Sequence, residues 1–361
     1  MNLTFNETAY LDTISGRRRG LSATVFRAGM SCLTPLYRSA IDLRNFLYDE
    51  KWIPTHRAAL PVISVGNLTT GGTGKTPFVA WLVQQLKSHG RRPAIVSRGY
   101  RTSSESTHAG NDEQQLLEQL VPGTPHRQQR DRIASVQQLA ATNEADIVVL
   151  DDGFQHRRLQ RDLDLVLIDA TVPWGYDHLL PRGLLREPHS SLHRADLVIV
   201  TRVDQVTVAE RQRLQREIRR QTRAPIVETS FRATRWINPL GETLALEQLP
   251  TTSSLAFCGI GNPDGFRRSL RNLGQNSAAD HLLVFPDHCQ YLPKDRERIA
   301  QAIQDYRPEH LLTTRKDLVK FANDTTPSGL PLWAVDLNLH FDNGLDELNR
   351  QLRRFVGSRK F

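Results

Sequence analysis

Residues 61–77, PVISVGNLTTGGTGKTP, constrain the fold more than any other part of the 361-residue chain. A short β-branched run, a glycine-rich loop, Lys75-Thr76 and a helix-like segment describe a strand, a phosphate-binding loop and a helix. The backbone N–H groups of Gly71, Gly72 and Gly74 can wrap an anionic phosphate because no Cβ blocks the approach. Thr69, Thr70 and Thr73 complete the loop. The following helix would point its positive end at that phosphate. Lys75 can reach β/γ-phosphates, and the Thr76 hydroxyl can ligate Mg²⁺. The strict loop spacing asks for glycine where this chain has Thr69. A glycine-rich turn that binds nothing has no need of Gly-Lys-Thr behind an apolar strand. The stretch implies a nucleoside triphosphate.

Composition narrows the partners. The chain is 39% hydrophobic and 24% charged, which fits a soluble α/β protein long enough for two cores. A net charge of +8 implies an anionic partner: nucleotide, nucleic acid or acidic membrane surface. Cys32, Cys258 and Cys289 are far apart and form no CxxC pair, which suggests a reducing compartment without structural disulfides. Cys289 beside His288 fits either a metal or thiol site or an incidental cysteine. No apolar run reaches the roughly 18 residues of a membrane span. The polar start, with Glu7 and Asp12, shows no signal peptide. The expectation is action from the cytoplasm.

Four segments are expected. Residues 1–58 carry Arg17-Arg18-Arg19 and then Leu21, Val25, Phe26, Met30 and Leu33. Thr34-Pro35 reads as an N-cap and first turn of a second helix bearing Leu36, Ile41, Leu43, Phe46 and Leu47. Two basic amphipathic helices could lie on an anionic bilayer or pack on the protein's own core. Over 59–228, apolar runs at 62–65, 94–96, 147–150, 165–168, 197–200 and 226–227 alternate with helix-like segments at 78–89 and 210–222. That rhythm predicts βαβ units and a mainly parallel sheet. Residues 229–250, with a turn at Asn238-Pro239-Leu240-Gly241, read as a linker holding a small hairpin. A second βα series over 251–361 has apolar runs at 255–258, 282–285, 311–313 and 332–335. The fold class is thus α/β: a P-loop NTPase-like domain, a smaller α/β domain and N-terminal amphipathic helices.

Other constellations add chemistry. In Asp146-Ile-Val-Val-Leu-Asp151-Asp152-Gly-Phe-Gln-His156-Arg157, an apolar strand ends in carboxylates, as a Mg²⁺-nucleotide site requires opposite its glycine loop. His156 serves that site or caps local structure. Ser97-Arg98-Gly99-Tyr100-Arg101 follows the second strand, where ligands of open parallel sheets sit. Its arginines contact phosphate or solvent. Leu180-Pro-Arg182-Gly-Leu-Leu-Arg186-Glu187-Pro188 is a phosphate or sugar contact or a plain surface loop. Asp287-His288 could place a proton-transfer residue or simply cap a turn.

Taken in order, these residues resemble the tetraacyldisaccharide 4′-kinases of lipid A biosynthesis. The resemblance rests on Gly66-Asn67-Leu with Gly71–Pro77; Ser97-Arg98-Gly99-Tyr100; Asp151-Asp152-Gly-Phe-Gln-His156-Arg157; Leu185-Arg186-Glu187-Pro188; and Phe285-Pro-Asp287-His288. Thr69 in place of glycine is shared with that family. The resemblance implies transfer of the ATP γ-phosphoryl group, with Mg²⁺, to the 4′-hydroxyl of a tetraacylated glucosamine disaccharide 1-phosphate. It implies two hinged α/β/α domains and a peripheral seat on the inner-membrane face. Nucleic acid and an obligate protein partner are not expected. The family's Gly-Asp-Glu-Pro reads here Gly110-Asn111-Asp112-Glu113, with an inserted Asn111 and no proline. By resemblance Asp112 is the catalytic base, with His288 orienting it. Lys75 neutralises charge, Thr76, Asp151 and Asp152 hold the metal, and Arg98, Tyr100, Glu113, His156, Arg186 and Glu187 meet the substrate.

Two rival classes share parts of this pattern. Nucleotide-switch ATPases of the membrane-targeting or partitioning class carry an extra lysine before the glycine pair, where this chain has Thr70. Thr201-Arg202-Val203-Asp204 faintly resembles the guanine-reading element of GTPases, with arginine in place of lysine.

Overall fold

The computed structural model describes residues 7–99, 112–321 and 329–356. The chain opens with α1 (Glu7–Ile14) and α2 (Leu21–Asp49), followed by β1 (Val62–Asn67), α3 (Lys75–Ser88) and β2 (Pro93–Ser97). Then come α4 (Asp112–Leu120), β3 (His126–Gln128), α5 (Arg132–Ala141), β4 (Ile147–Asp151), β5 (Leu163–Asp169), β6 (Leu197–Thr201) and α6 (Val208–Gln221). The rest comprises β7 (Ile226–Ile237), β8 (Thr243–Leu244), β9 (Ser254–Cys258), α7 (Pro263–Asn272), α8 (Asn276–Asp280) and β10 (Leu283–Val284). It ends with α9 (Pro293–Tyr306), β11 (His310–Thr314), α10 (Arg315–Leu318), β12 (Leu332–Asn343) and α11 (Leu345–Val356).

These elements form two compact units. The larger comprises Met1–Arg101, Val121–Ser230 and Phe341–Phe361; the smaller comprises Thr102–Leu120 and Phe231–His340. The chain passes between them on either side of α4 and again along β7 and β12. Thus α4 groups with the smaller unit and α11 with the larger, which a division into consecutive segments does not capture. Leu348, Leu352 and Val356, all buried, give α11 one apolar face at helical spacing.

In the larger unit the strands run β7-β6-β5-β1-β4-β2-β3. All these pairs are parallel. β1, β4, β5 and β6 are buried along their whole length. Strands covered on both faces read as continuous apolar runs, which is why they were legible in sequence. One face packs Leu68, Phe154, Val166 and Val198 against Leu214 and Ile218 of α6. The other packs Val62, Ala94 and Val148 against Val136 and Leu139 of α5. Gly66 is required where β1 ends: a Cβ there would lie 2.6 Å from the Phe154 Cβ. The close approach brings the loop after β1 against the loop after β4.

In the smaller unit β10-β9-β11-β12 form a parallel sheet. Its cores gather around Phe257, Tyr291 and Phe321 on one side and Trp236, Leu270 and Leu312 on the other. The expected linker is largely strand: β7 runs on to Ile237 and turns through Asn238–Gly241 into β8, pairing Trp236 with Leu244.

One helix boundary corrects the sequence reading. Thr34-Pro35 does not start a helix; α2 continues through Pro35, and the Thr34 hydroxyl donates back to the Met30 carbonyl at 3.1 Å. An interior proline typically costs ~3 kcal/mol. Contacts on both sides hold α2 through it. Arg27 donates to the Thr13 carbonyl at 3.2 Å, and the Tyr37 hydroxyl to the Arg186 carbonyl at 3.0 Å.

Candidate active site

In the larger unit, residues 68–74 leave the end of β1 and enter α3. Gly74 caps that helix in the left-handed region (φ 85), a conformation glycine adopts without strain. Cβ atoms at Gly71 and Gly72 would meet nothing within 4 Å, so this face of the loop is open to a bulky anion. Three contacts brace the loop from behind. The Thr70 N–H donates to the Leu184 carbonyl at 2.7 Å, the Thr201 hydroxyl to the Thr73 carbonyl at 2.9 Å, and Arg202 to the Gly72 carbonyl at 2.9 Å. Arg202 also pairs with Asp169. The segment that faintly suggested guanine reading therefore supports the loop backbone.

Side chains from three separate loops meet beside it. Lys75 Nζ lies 3.1 Å from Asn67 Oδ1 and 3.5 Å from Asp152 Oδ1. Arg186 holds both Asp152 oxygens at 2.8 Å, a bidentate geometry. It also donates to Asn67. Asn67 Nδ2 donates to the Thr73 hydroxyl at 3.1 Å, so one buried amide links the loop, its lysine and Arg186. Arg132 donates to the Asp152 carbonyl at 3.0 Å. Burial alone would raise the Asp152 pKa, but Lys75, Arg186 and Arg132 overcome it and hold the carboxyl far below its ordinary range. Asp152 also sits in the left-handed region (φ 52), and such strain clusters at functional sites.

The oxygens of Thr76, Asp151 and Asp152 suit a hard cation. Among the described residues no group of three or more His, Cys, Asp and Glu could hold a metal. Mg²⁺ takes one or two carboxylates and completes its shell with phosphate and water. His156 is driven down to about 4 by burial and by Arg132, Arg161 and Arg158, so it is neutral at neutral pH. Arg98 is exposed beyond β2. Tyr100 and Arg101 lie outside the described residues, as do Gly110 and Asn111. Glu187 is fully buried: Arg194 donates to it at 2.6 Å and Asn45 of α2 at 3.1 Å.

In the smaller unit Asp112 opens α4 and is buried. His288 Nδ1 lies 3.5 Å from Asp112 Oδ2, and Lys320 Nζ 3.0 Å from the same oxygen. Gln290 donates to Oδ1 at 3.5 Å. The other His288 nitrogen, Nε2, faces Lys316 Nζ at 3.3 Å, and Lys316 pairs with Asp287 at 2.8 Å. Lysine can only donate, so Nε2 accepts and Nδ1 carries the proton toward Asp112. Burial pushes the Asp112 carboxyl up, but His288 and Lys320 bring it below its ordinary value. The hydrogen bond to Asp112 raises the His288 pKa. His288 is left-handed (φ 59), with its N–H bonded to its neighbour Asp287 at 3.0 Å. Glu113 follows Asp112 on α4, partly exposed.

The tetraacyldisaccharide-1-P 4′-kinase profile matches residues 27–356. The chain belongs to that family. A tetraacyldisaccharide 4′-kinase of Syntrophus aciditrophicus is 38% identical over 309 residues, spanning 79% of this chain and 82% of that protein. One of Anaeromyxobacter sp. strain Fw109-5 is 34% identical over 351 residues, covering 93% and 94%. A crystal structure of the Aquifex aeolicus LpxK in complex with ATP superposes with a TM-score of 0.70 at 29% identity, covering 92% of this chain and 99% of that one. The sequence reading assigned nothing to Arg132 or Lys320 in this kinase, and no role to Asn67. Arg132 and Lys320 stand in no glycine-marked motif. Only chain folding brings them to Asp152 and Asp112.

Proposed function

We propose that the two sets of side chains divide the family's reaction between them. The chain is an ATP-dependent kinase of lipid A biosynthesis, a phosphotransferase with an alcohol acceptor. The acceptor is the 4′-hydroxyl of a tetraacylated glucosamine disaccharide 1-phosphate. In the larger unit Thr69–Thr76, with the start of α3, cradle the donor phosphates, and Lys75 offsets the charge on the transferring group. Thr76, Asp151 and Asp152 would hold Mg²⁺, which supplies further charge neutralisation when bound. Arg98, Tyr100, Glu113, His156, Arg186 and Glu187 serve the acceptor, Glu187 indirectly, through its hold on α2. In the smaller unit Asp112 takes the acceptor proton and His288 orients it. The 4′ O–H bond breaks as the oxygen bonds to the γ-phosphorus. The bridging P–O bond then leaves its electrons on ADP. The convergence of Lys75, Arg186 and Arg132 on Asp152 beside an open glycine loop carries this reading.

The acyl chains place the substrate in a bilayer, and α2 suits that location. Leu21, Val25, Phe26, Leu33, Leu36, Leu43 and Phe46 stand exposed along it, next to Arg17, Arg18 and Arg19. Among the described residues no helix is long and apolar enough to cross a membrane. An apolar stripe with flanking arginines binds an anionic interface, so the enzyme works peripherally on the cytoplasmic face of the inner membrane. Transfer of labelled γ-phosphate from ATP to a purified acylated disaccharide tests the function, with Lys75→Ala as control. No labelled glycolipid would remove the kinase reading. Leu36→Glu with Leu43→Glu should release the protein from anionic vesicles; unchanged cosedimentation would remove the membrane seat.

A further inference from the structure

Lys320 is a buried cation with no part in the reaction as described so far. Its side chain is 6% exposed and lies between two carboxylates, Asp112 Oδ2 at 3.0 Å and Asp317 Oδ1 at 3.3 Å. Asp317 is itself fixed: its Oδ2 accepts from the Thr314 hydroxyl at 2.6 Å and from the Gly259 N–H at 3.0 Å. Below the ammonium lies the Tyr291 ring, 5.4 Å away. Gly259, Tyr291, Thr314 and Asp317 come from the ends of the smaller unit's sheet and its loops, so Lys320 is aimed by the core and has little freedom to swing.

A buried carboxylate without a counter-charge takes up a proton, and a protonated carboxyl cannot act as base. His288 cannot supply that charge while neutral. Its Nε2 faces Lys316, which is itself tied to Asp287, and Glu113 lies nearby as a further negative charge. Lys320 is therefore the permanent cation nearest the base among the described residues. It also distinguishes the two oxygens of Asp112. Oδ2 faces Lys320 and His288, whereas among the described residues Oδ1 has only the longer bond from Gln290. We propose that Lys320, locked by Asp317, is a positioning residue that keeps Asp112 ionised and leaves Oδ1 as the proton-accepting oxygen. The inference rests on Asp112 being the base, and it names what makes that base competent.

The test is the pH profile of kcat for Lys320→Met and Lys320→Arg with a soluble short-chain acceptor. An opposite charge at this distance typically lowers an aspartate by about 1–3 units. In Lys320→Met the acidic limb should therefore move up by at least about one unit. Relative to wild type, turnover should fall only below that displaced limb, by about tenfold per unit of displacement at its acid end, and should match wild type near pH 9. KM for ATP should hold, and Lys320→Arg should restore the wild-type limb. A loss of equal size at every pH would reduce Lys320 to a fold-stabilising ion pair and overturn the proposal. Should Lys320→Met not fold, the Asp112 carboxyl can be followed by ¹³C NMR in the wild type and in Lys320→Arg. A midpoint below that of free aspartate in both supports the proposal; one at or above it overturns it. That readout is independent of turnover, so it separates failure of this inference from failure of the kinase reading. If instead Asp112→Asn retains full activity, the base assignment itself is wrong.

Discussion

The two chemical centres solve opposite electrostatic problems. Beside the glycine loop, the three cations Lys75, Arg186 and Arg132 converge on Asp152, with Asp151 next to it, so cations outnumber carboxylates there. In the smaller unit, Asp112, Asp287 and Asp317 face Lys316, Lys320 and a histidine, so charge is close to balanced. A centre with surplus cations is built to receive a multiply charged phosphate. On the proposed reading, a balanced, buried centre holds one carboxylate ionised and changes its proton count by one. Backbone strain, by contrast, is common to both: Asp152 and His288, one in each centre, occupy the left-handed region.

Substitutions can break or sharpen this contrast. Lys75→Ala should have the largest effect, a fall in phosphoryl transfer on the order of 10³-fold or more, since charge stabilisation supplies most of the rate. Steady-state labelling measures it, and a loss below tenfold would contradict a donor centre that depends on its cations. Asp112→Asn comes next, lowering kcat by ~10²–10⁴-fold. The rise in melting temperature produced by ATP should remain, because this change touches only the smaller unit's centre. If that thermal shift disappeared, the two tasks would not be separable.

Arg186→Lys is smaller. Lysine keeps the charge but not the bidentate hold on Asp152, and loss of a charge-assisted bond typically costs about 1.5–3 kcal/mol. A drop in kcat/KM of roughly tenfold to a hundredfold is expected from that cost. Activity equal to wild type would show that charge alone suffices.

The smallest effect concerns acid. His156 titrates at about 4 in the folded chain against an ordinary 6.5, so the unfolded state binds more protons between those values. Stability tied to His156 is therefore complete above pH 6.5 and is lost as pH falls toward 4. Asp152 behaves oppositely in origin. Its lowered pKa adds stability that fails only in stronger acid. His156→Gln should lose less melting temperature than wild type between pH 7 and 4.5. Identical acid slopes would locate the sensitivity elsewhere.

How far each centre could be read in sequence follows from how it is assembled. The donor loop, Thr69–Thr76, is contiguous, and its glycines, lysine and threonine are meaningful at fixed spacing. β1 and β4 were visible because strands buried on both faces are apolar throughout. The proposed acceptor centre draws on α4, the loop after β10 and the segment after β11, so beyond Asp287-His288 no local pattern marks it. Asp112 was reached through family resemblance and Asp287-His288 from its residues only as one of two readings, whereas Lys320 and Arg132 had no signal at all. Pro35 misled because a local breaker rule gave way to the contacts that hold α2 on both sides of it. β7 and β12 each span both units, which segment-by-segment reading could not anticipate.

Alone, the amino-acid order determined a parallel α/β fold, a triphosphate loop and the acids that follow β4, because each depends on neighbours close along the chain. Tertiary structure decided which distant cations neutralise which carboxylates, that α4 joins the smaller unit, and that Glu187 anchors α2 from inside the core. Those outcomes depend on burial and on distances of a few ångströms between remote segments, and ionic energies vary too steeply with both to be inferred from spacing.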